Sequence, residues 1–254
     1  MIRTLLTAVF VLCMGTTAMA GETVTYKDGA TTLEGYLAKT DKPDAPVVII
    51  FHQWLGVSDY EKGRADALAA AGYNAFVADM YGQGIRPKNT DEAGKLAGMY
   101  KGDPALARQR SNAALAYART IPGADTSKIA AWGYCFGGTM ALELARSGAD
   151  LASVTSFHGA LATKQPAKTP GTIKPSILVL HGADDPYVKP EEVAAFKDEM
   201  NAAKADWYLT EYAYAVHSFT EPHAGNDPSK GAAYNEKADK RSLQAAMDFL
   251  KETL

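Results

Sequence analysis

The feature that most constrains this chain is the alternation of short, near-continuous apolar runs with longer stretches at helical spacing. Val47 to Phe51 precedes a helical stretch from Tyr60 to Ala71, Ala75 to Ala78 follows, and Lys128 to Trp132 leads into Thr139 to Arg146. The pattern continues with Ser153 to Phe157, Ile177 to Leu180 before Glu191 to Ala203, Tyr208 to Tyr212, and a closing helix from Lys237 to Leu250. A strand that is apolar at every position must be covered on both faces, and helices between strands supply that cover. The spacing therefore predicts an α/β fold, a mostly parallel central sheet with helices on both faces in a single domain. Thr23 to Tyr26 and Thr32 to Leu37 alternate instead, around Lys27-Asp28-Gly29, which predicts an antiparallel hairpin at the sheet edge.

The first twenty residues differ in kind. Arg3 supplies a positive start, Leu5 to Met14 an apolar run, and Ala18-Met19-Ala20 a small-x-small cleavage site, the pattern of a signal peptide cut after Ala20. Residues 21–254 are then expected to form the single α/β domain, in the periplasm or secreted. The apolar run is shorter than the roughly 18 residues a membrane span needs, and Leu12 before Cys13 is not the small residue of a lipoprotein signal, so no anchor is expected. A formal charge of −3 over 254 residues, with no run of basic side chains, speaks against nucleic acid and for a small-molecule partner. Removing the leader takes away Cys13 and leaves Cys135 without a partner for an intramolecular disulfide.

In a parallel sheet, ligands and chemistry gather at the carboxyl ends of the strands. His52-Gln53, Asp79, Cys135, His158, His181 with Asp184-Asp185, and His217 all fall just beyond predicted strands. Gly133-Tyr134-Cys135-Phe136-Gly137-Gly138 lies between a strand and a helix, the setting of a nucleophile elbow with sulfur in place of oxygen. A helix N-terminus there lowers a thiol's pKa. The chain order nucleophile, acid, histidine points to Asp185 and His217 as its partners. Of the two adjacent acids, Asp185 is favoured by its place in the loop Gly-x-x-Asp-x-x-Val, and Asp184 is expected to cap the turn. His158 and His181 read as polar groups satisfied beneath the site. The backbone N–H groups of Phe136 and Trp54 are the expected oxyanion donors. Trp54's side chain reads equally as core or as pocket wall, and Gln53 is expected to hydrogen-bond near the thiolate or to the substrate. No metal or cofactor is called for.

Gly-Tyr-Cys-Phe-Gly-Gly at 133 to 138, His-Gly-Ala-Asp-Asp-Pro-Tyr-Val at 181 to 188 and His-Ser-Phe-Thr at 217 to 220 together resemble dienelactone hydrolase-type α/β-hydrolases. Asp79-Met80-Tyr81-Gly82, Ala233-Tyr234-Asn235 and Arg241-Ser242 extend the likeness over nearly the whole mature chain. The resemblance implies an α/β-hydrolase fold, a Cys135-His217-Asp185 triad, and hydrolysis of a lactone or other activated ester without metal or cofactor. Two positions depart from the family's founding enzymes. Gln53 stands where they carry a glutamate, and Thr220-Glu221-Pro222 stands where one of their substrate-binding arginines lies, so that an acid there repels a carboxylate. The missing carboxylate at position 53 keeps in play a binding protein that retains the hydrolase fold without turnover, and an acyltransferase is a third reading.

Overall fold

The computed structural model describes residues 21–254; the expected leader, with Cys13, lies outside the described residues. Eight strands form one sheet: β1 (Glu22–Asp28), β2 (Thr31–Ala38), β3 (Ala45–Phe51), β4 (Asn74–Ala78), β5 (Ala124–Tyr134), β6 (Ser153–Phe157), β7 (Ser176–Gly182) and β8 (Trp207–Tyr212). Their order is β1-β2-β4-β3-β5-β6-β7-β8. The β1–β2 hairpin is antiparallel and closes one edge, β2 joins β4 antiparallel, and the remaining pairings are parallel. This is the architecture the apolar periodicity predicts.

The helices are α1 (Asp59–Ala71), α2 (Thr90–Gly102), α3 (Pro104–Ala118), α4 (Phe136–Arg146), α5 (Pro190–Ala203) and α6 (Glu236–Thr253). They divide between the two faces of the sheet. On one side Val47, Ile49 and Phe51 of β3 pack with Tyr100 of α2, Leu115 of α3, Met140 of α4 and Phe196 of α5. On the other, Val48 and Ile50 pack with Leu68 of α1 and with Phe249 and Leu250 of α6. Both side-chain sets of β3 are thus buried, the physical reason its sequence does not alternate.

Helices α2 and α3 were not anticipated. α2 is rich in charge and holds Gly94, Gly98 and Gly102, and α3 is rich in Ala, so apolar periodicity is faint. Their start signals are clear in the structure. Asn89 accepts a hydrogen bond from the Glu92 N–H, and Asp103 accepts from Ala105 and Leu106 with Pro104 opening the helix. Capping chemistry, read before periodicity, finds both.

The strand order reverses direction about β3, which has β4 on one side and β5 on the other. Such a switch point opens a crevice at the carboxyl ends of the strands. The chain after β3 carries His52, Gln53 and Trp54, and the chain after β5 carries Cys135, so the two segments face one crevice from adjacent strands.

Candidate active site

Cys135 sits between β5 and α4 with φ 53° and ψ −116°, a conformation that non-glycine residues rarely adopt and that costs roughly 1–3 kcal/mol. Close backbone approach enforces the turn. A Cβ on Gly133 would stand 2.0 Å from the Gly137 carbonyl oxygen, and one on Gly137 would stand 2.0 Å from the Phe51 carbonyl oxygen. Gly137→Ala is accordingly expected to destabilise the fold by about 3 kcal/mol or more, since rigid backbone has to move. Gly63→Ala, in open space on α1, should stabilise by about 0.5–1 kcal/mol. Urea midpoints of the two variants test the contrast, and equal midpoints would refute the packing account.

The thiol heads an unbroken chain of hydrogen bonds. His217 Nε2 lies 3.0 Å from Cys135 Sγ, and His217 Nδ1 lies 2.8 Å from Asp185 Oδ2. Asp185 is buried, and its other oxygen accepts the Tyr187 N–H at 2.9 Å. One carboxylate therefore both meets the imidazole and closes the turn. This corrects the role expected of Asp184, whose side chain is exposed and whose backbone N–H donates to Ala215. The physical reason is direction: the turn points Asp185 inward and its neighbour to solvent.

Electrostatics reinforce the geometry. Burial acts to raise the Cys135 pKa, but the charge and hydrogen bond of His217, with the Phe136 N–H, outweigh it and leave the thiol below its ordinary value. Burial likewise acts to lower the His217 pKa, while the Cys135 thiolate and the Asp185 carboxylate raise it to about 10. A group held above its ordinary value stays protonated up to that raised pKa, and a thiol held below its own ionises early. Thiolate and imidazolium thus coexist from the depressed thiol pKa up to about pH 10. Iodoacetamide should label Cys135 with a midpoint below the value near 8.5 of a free cysteine. In His217→Ala, burial is opposed only by the Phe136 N–H and the charge of Lys101, and the midpoint should move upward. A wild-type midpoint near 8.5 that His217→Ala leaves in place would remove the ion pair.

Behind the thiol, His158 is buried and held by two contacts. Its Nδ1 accepts the Cys135 N–H at 3.1 Å, and its Nε2 lies 2.8 Å from Thr220 Oγ1, which in turn meets the Tyr60 hydroxyl at 2.7 Å. It is a satisfied structural histidine, as expected. His181 departs from that expectation. It is buried and lines a side cavity with Asp185, Lys197 and Glu211, yet its Nδ1 has no hydrogen-bond partner among the described residues.

The crevice opens into a cavity of about 850 Å³. Trp54, Ala97, Phe136, Ala160 and Val188 line it with Cys135 and His217. Trp54 is both things its sequence allowed, since it packs partly against the core and also walls the cavity. Tyr187 stands edge-on to His217, with ring centroids 5.3 Å apart. Gln53 also lines the cavity, but its amide donates to Glu221 Oε2 at 2.9 Å instead of reaching the thiolate. A carboxylate 168 residues away competes for its N–H groups, and that competition was invisible along the chain. Glu61 was missed as well. Fully buried, it accepts the Gln53 N–H at 3.0 Å and the Ser58 N–H and hydroxyl, fixing the loop after β3. The Ser58-x-x-Glu61 capping box was the available signal. Among the described residues, no group of three or more His, Cys, Asp or Glu side chains is gathered to hold a metal ion.

Residues 33–254 match the family model of the dienelactone hydrolase family. This chain belongs to the dienelactone hydrolase family. Among solved structures it is similar to m3DLH, at 36% identity and a TM-score of 0.88 over 93% of this chain and 99% of that one. It is also similar to a dienelactone hydrolase-like promiscuous phosphotriesterase from metagenomic libraries, at 38% identity and a TM-score of 0.84 over 93% and 99% of the two chains. Carboxymethylenebutenolidase 1 of Cupriavidus pinatubonensis is 25% identical over 192 residues, 71% of this chain and 80% of the relative. The protein is thus a dienelactone hydrolase-like hydrolase with an α/β-hydrolase fold.

Proposed function

We propose that this dienelactone hydrolase family member cleaves a carboxylic ester or lactone of a small molecule through an acyl-thioester on Cys135. The observation that carries the reading is the Asp185–His217–Cys135 chain, at 2.8 and 3.0 Å, opening on a cavity of about 850 Å³. The Cys135 thiolate attacks the carbonyl carbon, and the Phe136 and Trp54 N–H groups stabilise the oxyanion. As the tetrahedral intermediate collapses, the C–O bond breaks and the His217 imidazolium protonates the departing alkoxide. Water then attacks the thioester, His217 accepts its proton, and the thiolate leaves, restoring the ion pair. Asp185 holds His217 in the required tautomer and stabilises its charge throughout.

In this reading Gln53 plays no part in proton transfer, because a carboxamide takes up no proton near neutrality. Activation of the thiol rests on His217. Mixing enzyme with p-nitrophenyl acetate should release a burst of p-nitrophenol equal to the enzyme present, and quenched samples should carry one acetyl group on the peptide containing Cys135. Turnover without that adduct would replace the covalent route by direct attack of water. Adding paraoxon as a second substrate extends the test to phosphotriesters, the class named for one solved relative. The leader pattern at residues 1–20 further supports export, and the intact mass of protein recovered from the periplasm should correspond to a chain starting at Gly21.

A further inference from the structure

We infer that the cavity selects esters that carry no carboxylate and favours those whose far end is cationic or donates a hydrogen bond, with Glu221 as the residue that recognises it. The inference rests on the ester-hydrolase reading above and adds to it the substrate's charge class.

The Glu221 side chain is only 13% exposed, lines the cavity, and is held in place from two sides. Its Oε1 accepts the His223 backbone N–H at 3.0 Å and contacts His223 Nδ1 at 2.9 Å. Its Oε2 accepts the Gln53 amide at 2.9 Å. A carboxylate oxygen has capacity for two hydrogen bonds. Oε1 is filled by protein, whereas Oε2 has taken one bond and can accept a second from a ligand.

Gln53 therefore acts as a bracket. Its amide holds an acid that comes from the loop after His217 in the wall of the cavity that Cys135 also lines. The surrounding charges have the same sign: Asp59, Glu61 and Glu221 line the cavity against a single ammonium, that of Lys101. Glu61 is occupied with the loop after β3, and Asp59 is fully exposed at the rim. Lys101 is exposed on α2. The Cys135–His217 pair adds no net charge. Apolar walls of Trp54, Phe136 and Val188 keep the field of Glu221 from being screened as it would be in water. A substrate carboxylate near Glu221 meets repulsion, whereas a cationic group is attracted and an N–H or O–H group can also give Oε2 its second donor.

The test uses p-nitrophenyl esters of equal length: hexanoate, the adipate monoester, and 6-(trimethylammonio)hexanoate, each corrected for its enzyme-free rate. Wild type should show a kcat/KM at least about tenfold higher for the ammonium ester than for the adipate monoester. Glu221→Gln should shrink that ratio by about tenfold, and Lys101→Gln should enlarge it by a smaller factor. Calorimetry on Cys135→Ala protein supplies a readout independent of turnover. Hexyltrimethylammonium should bind at least about tenfold more tightly than hexanoate, and the double variant with Glu221→Gln should lose the difference. Turnover with equal ratios, or an adipate preference abolished by Lys101→Gln, would overturn the charge assignment while leaving the hydrolase reading intact. Absence of turnover on all three esters with the calorimetric preference retained would overturn the hydrolase reading and sustain the recognition by Glu221.

Discussion

Replacing Cys135 by alanine is expected to lower kcat/KM for a p-nitrophenyl ester by at least about 10⁴-fold while leaving the melting temperature within a few degrees of wild type. Enzymes commonly accelerate reactions by 10⁶-fold or more, and a covalent route loses most of that when its nucleophile is removed. The oxyanion donors and the cavity remain in the variant, so a residual rate above that of water should persist. Stability should change little because alanine keeps the Cβ and the backbone strain of the elbow, and the side chain removed is only half-buried. Stopped-flow assays with calorimetric melting measure both quantities. Activity retained within about tenfold of wild type would exclude Cys135 as the nucleophile.

The second large effect belongs to the acid. Asp185→Asn should cost about 10²–10⁴-fold in kcat, and Asp184→Asn less than about twofold. Only Asp185 meets His217 Nδ1, at 2.8 Å, and only it offers a buried negative charge to the imidazolium. An asparagine can present either its oxygen or its amide to Nδ1 and permits the wrong tautomer; in a serine-protease relay the same exchange lowers kcat by about 10⁴. The variant also removes one of the causes that hold His217 near a pKa of about 10, so the pH window for the thiolate-imidazolium pair narrows from its upper end. Full pH–rate profiles of the two variants separate this from a folding defect. A falling alkaline limb that moves to lower pH in Asp185→Asn alone supports the relay, and the reverse ranking of the two acids would reassign it.

Much of this protein is local enough to be legible in one dimension. The apolar runs became β3 to β8, and for β3, β4, β6 and β7 the reason is that a buried strand needs apolar side chains on both faces wherever its neighbours lie, whereas β8 is a largely exposed edge strand. The elbow was legible for a similar reason. Gly133 and Gly137 answer a backbone contact that any such strand-to-helix turn must make, and Cys135 takes the positive φ that such a turn demands. Family motifs then named the partners, with Asp185 preferred over Asp184 by its place in a loop. Helices α2 and α3 escaped because short side chains and glycines leave little periodicity to detect. Their identity as helices lay in Asn89, Asp103 and Pro104.

What the chain by itself determined is therefore its fold class, the elbow and the identities of the groups at the rim, all properties of neighbouring residues and of a period. Tertiary structure alone decided which of those groups touch. The pairing of Gln53 with Glu221 joins segments 168 residues apart that no motif links, whereas motif order had already paired Cys135 with His217 and the fold supplied only their distance of 3.0 Å. It also turned Asp185 inward, gave the His158 ring to the Cys135 N–H, and left His181 Nδ1 without a partner. A hydrogen bond depends on distances of tenths of an ångström between side chains whose rotamers are set by the packed surroundings. Those surroundings exist only once the sheet and its helices have closed around the cavity.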